Sequence, residues 1–191
     1  NLEGPSSFIN VEKIQKEILS KIEREYLFIE ATLNINAKYL IDKIEQGINR
    51  EDNLNYKTNV KGKQTIWDFF LNDKEFSRIM FYVLNYIDGI PGTKLKGYLS
   101  EAWGLKQDLG DFTIEHTHQP NSMSGIIYLN DHEQKIFFPE INQEVTPSCG
   151  KVLLFSPFLK HSTKRNLSNI SKYAISFNFS FASIDLKIIN N

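Results

Sequence analysis

The sequence predicts an α+β chain in which helices come first and a sandwich or jelly roll of short antiparallel strands follows, with the helices packed on one sheet. Three observations carry this. Apolar residues recur at helical spacing as far as Ile87, and beyond Pro91 the pattern turns to short alternating or β-branched runs broken by Gly, Pro, Asn and Asp. No linker, internal repeat or low-complexity stretch divides the 191 residues, so one domain over 1–191 is expected, with 1–93 as mainly helical support and 94–191 as the β core carrying the site.

The elements follow in order. In "NVEKIQKEILSKIEREYLF" the residues Val11, Ile14, Ile18, Ile22 and Tyr26 form one stripe, with Asn10 placed to cap the helix and Glu12 in its first turn. A second helix spans about Ala37 to Ile48, and a polar, solvated connection runs on through Lys63. In "NDKEFSRIMFYVLNYIDGIPG", Asn72 and Glu75 have capping-box spacing, Phe76, Ile79, Val83 and Ile87 make the stripe, and Gly89 and Pro91 end the helix. These helices carry no binding motif and are expected to buttress the sheet. Strands are expected at Leu95–Leu105, Phe112–His118, Ser124–Asn130, Lys135–Phe138, Val152–Phe155 and Tyr173–Phe181.

Charge narrows the function classes. With 22 basic and 23 acidic residues the net charge is -1, which offers neither nucleic acid nor an anionic membrane an attractive field. The single cysteine, Cys149, excludes an internal disulfide and fits a reducing compartment, and no long apolar run suggests membrane insertion; the cytoplasm is the expected location.

The chemistry centres on histidine. In a strand from Phe112 to His118 alternate residues share a face, so Phe112, Ile114, His116 and His118 are expected to point inward and Thr113, Glu115 and Thr117 outward. Two imidazoles two residues apart can share a divalent ion if a third ligand arrives from elsewhere; otherwise they are unrelated core or surface residues. His132, in "NDHEQK", is expected in a solvated turn. His161 follows a strand apolar on both faces, Val152 to Phe155, and is placed either to lean into the mouth of the sandwich or to sit hydrogen-bonded in a loop. The last strand puts Lys172, Ala174, Ser176, Asn178 and Ser180 on one face and Tyr173, Ile175, Phe177, Phe179 and Phe181 on the other. Its polar face either meets water or lines a cavity that holds an anion.

The motifs "HTHQPNSMSGIIYLND", "GKVLLFSPFLKH" and "KYAISFNF", in that order, resemble the core of the Fe(II)/2-oxoglutarate-dependent dioxygenases, in particular the prolyl-hydroxylase-like branch and a bacterial and phage subgroup with an H-x-H signature. The resemblance spans about Trp103 to Phe181 and implies a double-stranded β-helix, the jelly-roll core of that family. It implies His116, His118 and His161 as metal ligands, and Lys172 with Tyr128 as the residues that hold the far carboxylate of 2-oxoglutarate. Asn178, Ser176, Trp103 and Ser124 are then candidates for the pocket. The implied activity is hydroxylation of a substrate, a protein or peptide side chain or a small molecule, using Fe(II), 2-oxoglutarate and O₂ with release of succinate and CO₂. If the chain is phage-encoded, the compartment is the host cytoplasm.

Three departures from the family pattern stand out. His118 replaces the usual aspartate, which leaves three neutral ligands and a site of formal charge +2 instead of +1. Lys172 replaces an arginine and loses its bidentate fork, and Ala174 lacks a hydroxyl common at that position. Two rivals remain. "GDFTIEHTH" fits the opening of a cupin motif, but Ser122 and Met123 stand where a cupin glutamate belongs and "SPFL" lacks the internal glycine of the second motif. A jelly-roll module with incidental histidines and no enzymatic role is the other.

Overall fold

Residues 172–181 alternate polar and apolar side chains, and the fold is built around that strand. The computed structural model describes residues 26–51, 53, 58–88 and 97–181. Among them lie, in chain order, β1 (Phe28–Thr32), α1 (Ala37–Ile48), β2 (Val60–Lys61), β3 (Lys63–Gln64), α2 (Lys74–Asp88), β4 (Gly97–Gln107), β5 (Phe112–His116), β6 (Met123–Tyr128), β7 (Ile136–Phe138), β8 (Gln143–Val145), β9 (Lys151–Phe155), β10 (His161–Thr163) and β11 (Lys172–Phe181). The strands pair antiparallel into a six-stranded sheet, β1-β9-β6-β11-β4-β3, and a five-stranded sheet, β2-β5-β10-β7-β8, as the jelly-roll expectation requires.

Both helices belong to one apolar cluster on the outer side of the six-stranded sheet. Leu40 and Ile44 of α1, and Phe76, Ile79 and Val83 of α2, meet Ile127, Ile175, Phe177 and Phe179 there. Burying a side chain such as Phe177 contributes about 1.5–3 kcal/mol, so this layer carries much of the stability. Close approach shapes it: a Cβ on Gly104 would lie 2.4 Å from the Ile44 side chain, and one on Gly125 would lie 2.2 Å from the Phe177 ring. Between the sheets a second cluster gathers Tyr128, Ile136, Phe138, Val145, Leu153, Phe155, Leu159 and Ala174.

Several expectations need correction. The cap of α2 is Asp73, whose carboxylate accepts from the Phe76 N–H at 3.0 Å, not Asn72; Glu75 instead accepts from the Asn36 N–H at 2.8 Å and ties the starts of the two helices together. Residues 10–25 of the first expected helix lie outside the described residues, and its last residue, Phe28, opens β1, an edge strand paired with β9. The connection expected to be plain loop contains β2 and β3, two-residue strands too short to show any alternation. β8 and β10 were likewise unexpected, each being three residues long.

The alternation expected for β5 also fails. Thr113 is buried and Ile114 exposed, whereas the alternation placed Ile114 inside. The cause is a shift in register: His161 pairs with His116 while Thr163 pairs with Thr113, so β5 carries one residue more than β10 between the two pairs. An extra residue of this kind re-aims the side chains beyond it, and here both Thr113 and His116 turn inward.

Candidate metal centre

His116 ends β5, His118 lies two residues beyond it, and His161 opens β10 directly opposite His116. The ligating nitrogens of all three lie within 4.8 Å of one another. The structure thus brings together the three histidines expected as ligands, and among the described residues no other group of three His, Cys, Asp or Glu does the same.

Hydrogen bonds decide which nitrogen each ring offers. His116 Nδ1 lies 2.8 Å from the Ile114 carbonyl oxygen, and His161 Nδ1 lies 3.1 Å from that of Leu159. A carbonyl oxygen only accepts, so both Nδ1 atoms carry the proton and both Nε2 atoms present a lone pair. His118 Nδ1 lies 2.9 Å from Asn178 Oδ1, with the same consequence. The Nε2 atoms of His118 and His161 then face each other at 3.2 Å. Two lone pairs at that distance repel unless a cation lies between them. A metal about 2.1 Å from each nitrogen would set them about 3.0 Å apart at a right angle, or about 3.4 Å at a tetrahedral one.

The surroundings keep the rings neutral. Burial lowers the pKa of His116, that of His118 to about 4 with a smaller push from His116, and that of His161 well below its usual value. Neutral imidazole is the form that ligates. Phe155 meets the His118 and His161 rings edge-on at 6.1 and 5.0 Å, and Trp103 stacks on His118 at 6.3 Å.

Beside the histidines is a cavity of about 50 Å³, lined in part by Trp103, His116, His118, His161, Lys172 and Ser176. The polar face of β11 therefore lies in the interior. Lys172 is 4% exposed and, among the described residues, has no hydrogen-bond or ion-pair partner; burial lowers its pKa to about 7. Tyr128 is fully buried, its hydroxyl likewise has no partner, and burial, with a smaller effect of Glu30, raises its pKa. Tyr128 is paired with Ala174, two residues from Lys172 on the same face of the sheet. A buried amine and a buried hydroxyl with no partner among the described residues are costly to the fold.

The other candidates divide. Trp103 and Ser176 line the cavity. Ser124 and Asn178 do not: they stand behind His118, with Asn178 Oδ1 accepting from Ser124 Oγ at 2.7 Å as well as from the ring. His132 corrects the expectation of a solvated turn. It is buried, Nε2 donates to the Ile170 carbonyl at 2.9 Å, and Nδ1 accepts from the Gln134 N–H at 2.9 Å, which leaves nothing for a ligand. A roomier groove of about 580 Å³, lined by His132, Phe137, Glu144, Ser162, Lys164 and Arg165 among others, lies on the outer face of the five-stranded sheet and includes none of His116, His118 and His161. Sequence reasoning missed Glu101, whose carboxylate accepts from Asn178 Nδ2 at 2.7 Å. Its signal was parity, since Glu101 shares a strand face with Trp103.

No protein-family model matches the chain, and no curated protein sequence matches it. Solved structures do. The viral collagen prolyl hydroxylase of Paramecium Bursaria Chlorella virus-1, in complex with 2-oxoglutarate, superposes with a TM-score of 0.66 at 14% identity, covering 83% of this chain and 97% of that one. The fold is that of the 2-oxoglutarate-dependent oxygenases. A prolyl-4-hydroxylase from Pseudomonas putida gives a TM-score of 0.62 at 14% identity over 82% of this chain and 93% of its own. HygX from Streptomyces hygroscopicus, solved with nickel, 2-oxoglutarate and hygromycin B, gives 0.60 at 13% over 89% and 87%. The oxygenase fold thus extends over most of the described chain, well beyond the stretch that carries the motifs.

Proposed function

We propose that the chain is an Fe(II)- and 2-oxoglutarate-dependent oxygenase that hydroxylates a protein, peptide or small-molecule substrate and releases succinate and CO₂. The observation that carries the reading is the convergence of three Nε2 lone pairs beside a buried, unpaired lysine. His116, His118 and His161 would hold the metal, and Lys172 with the Tyr128 hydroxyl would take the far carboxylate of the co-substrate. The iron centre, when loaded, supplies the oxidising chemistry. The chain's own contribution is to present three neutral donors on one side of the ion, to orient the co-substrate through one charge and one hydroxyl, and to exclude water with Phe155, Phe138 and Trp103. A carboxylate beside Lys172 would supply the charge its ammonium lacks, so binding and protonation of the lysine reinforce each other.

The test is anaerobic titration of the Fe(II)-loaded protein with 2-oxoglutarate, watched for the visible charge-transfer band of the chelate. The wild type should develop the band, His161→Ala should lose both metal and band, and Lys172→Met should keep the metal but need far more 2-oxoglutarate. Equal metal content in the wild type, His116→Ala and His161→Ala would overturn the metal centre. The all-imidazole donor set favours a second reading, a metal centre that works without 2-oxoglutarate. On that reading metal binds and no band forms.

A further inference from the structure

We infer that Glu101, acting through Asn178, is the positioning residue that makes His118 a ligand, and that it lends the centre the negative charge three neutral imidazoles lack; this rests on the metal-centre reading above. The argument is one of hydrogen-bond direction. A carboxylate only accepts, so Glu101 Oε2, 2.7 Å from Asn178 Nδ2, requires the amide to turn its nitrogen toward Glu101. The amide oxygen then faces the other way, where it meets Ser124 Oγ at 2.7 Å and His118 Nδ1 at 2.9 Å. An amide oxygen also only accepts, so the proton of His118 is held on Nδ1 and the lone pair is left on Nε2, the atom facing His161. Reversing the amide would present an NH₂ group to Nδ1 and move the ring proton to Nε2, where it would block the metal.

The fold is built to hold this row. Ser124, Asn178 and Glu101 are direct cross-strand partners on β6, β11 and β4, so their side chains share the interior face. Immediately beside them the β11–β4 register shifts, with Asn178 opposite Glu101 but Phe179 opposite Leu99. The extra residue, Ser100, bonds through its hydroxyl to the Asn178 carbonyl oxygen at 3.1 Å. Such an irregularity re-aims the neighbouring side chain. Among the described residues no lysine or arginine pairs with Glu101, so its charge is not cancelled before it reaches the amide. Partners that orient a metal-bound histidine are worth about 10–100-fold in metal affinity.

The experiment measures two things on the purified chain: affinity for Fe(II) or Co(II) in anaerobic competition with a chelator, and the tautomer of His118 in the metal-free protein by long-range ¹H–¹⁵N NMR. Glu101→Gln removes the charge and frees the amide to flip; metal affinity should fall about tenfold and the Nδ1–H form of His118 should lose population. Asn178→Asp alone sets two carboxylates against each other and should also weaken binding. The double variant Glu101→Gln/Asn178→Asp restores every donor to an acceptor, with the charge now against His118, and should recover at least the wild-type affinity. A merely structural row would not be rescued in this way. If the wild type binds metal and all variants match it with an unchanged tautomer, the inference is wrong. If the wild type binds no metal, the metal-centre reading fails, and an unchanged tautomer in Glu101→Gln would sink the relay as well.

Discussion

β11 buries both of its faces, and the two burials do opposite things. On one side Ile175, Phe177 and Phe179 meet the helices in a layer of hydrocarbon. On the other Lys172, Ala174, Ser176 and Asn178 line or support the histidine site, where Lys172 and the Tyr128 hydroxyl have no partner among the described residues. The apolar face lowers the free energy of the folded chain, and the polar face raises it. A site that stays destabilised until something binds is expected where groups are pre-organised for a ligand.

The comparison breaks most severely on the apolar side. Phe177→Ala should cost about 3–5 kcal/mol in chemical denaturation, because the ring fills the space over Gly125 and the neighbouring rings of Phe76 and Phe179 cannot close it. Metal affinity of the fraction that stays folded should not change. A large loss of affinity would show that the two faces are not independent.

Lys172→Met sharpens the contrast from the other side. Removing an unpaired buried amine should raise the unfolding free energy by about 1–3 kcal/mol while 2-oxoglutarate binding collapses. A stabilised, co-substrate-blind protein is the expected result of melting curves run with and without 2-oxoglutarate. Destabilisation by the substitution would mean that Lys172 has a partner in solution.

His132 offers a control within the same residue type. It is buried like His161, yet both of its nitrogens are used by the protein, whereas each histidine of the centre keeps one nitrogen free. His132→Ala leaves the Gln134 N–H without its partner and the Ile170 carbonyl with the Asn166 amide alone, and should cost about 1–3 kcal/mol with no change in metal content. Loss of metal in this variant would show that the site depends on the loop and not on the three rings.

These contrasts also show what was legible in the sequence. The two faces of β11 could be read off because a ten-residue strand repeats its alternation often enough to declare it. The helix from Ala37 to Ile48 was legible for the same reason, its apolar residues recurring over three turns. β2, β3, β8 and β10 are two or three residues long, too short to repeat any pattern, so only their partners across the sheet make them strands. The histidines were legible as a set through their order along the chain. That both rings of the pair turn inward was expected from an unbroken alternation, but the structure achieves it by a register shift that no local pattern announces. Glu101 stayed invisible because its role depends on a neighbour 77 positions away.

The smallest effects are those of pH, and they too differ between the groups of the polar face. Between the folded pKa of Lys172, about 7, and the ordinary lysine value of about 10.4, the unfolded chain binds more protons than the folded one. Stability of the metal-free protein should therefore rise with pH across that window, by at most about 1.4 kcal/mol per unit, and Lys172→Met should flatten it. The histidines act lower. With His118 near 4 against an unfolded value of about 6.5, stability is present above 6.5 and is lost as pH falls toward 4. On the proposed reading, co-substrate binding should cancel the first slope, since a carboxylate beside Lys172 would raise its pKa back toward the unfolded value and binding would take up a proton. Calorimetry at pH 8.5 in buffers of different ionisation enthalpy should show uptake approaching one proton per 2-oxoglutarate, with affinity falling up to about tenfold per unit above pH 7. Proton-neutral binding at that pH would mean that the carboxylate is held by something other than Lys172.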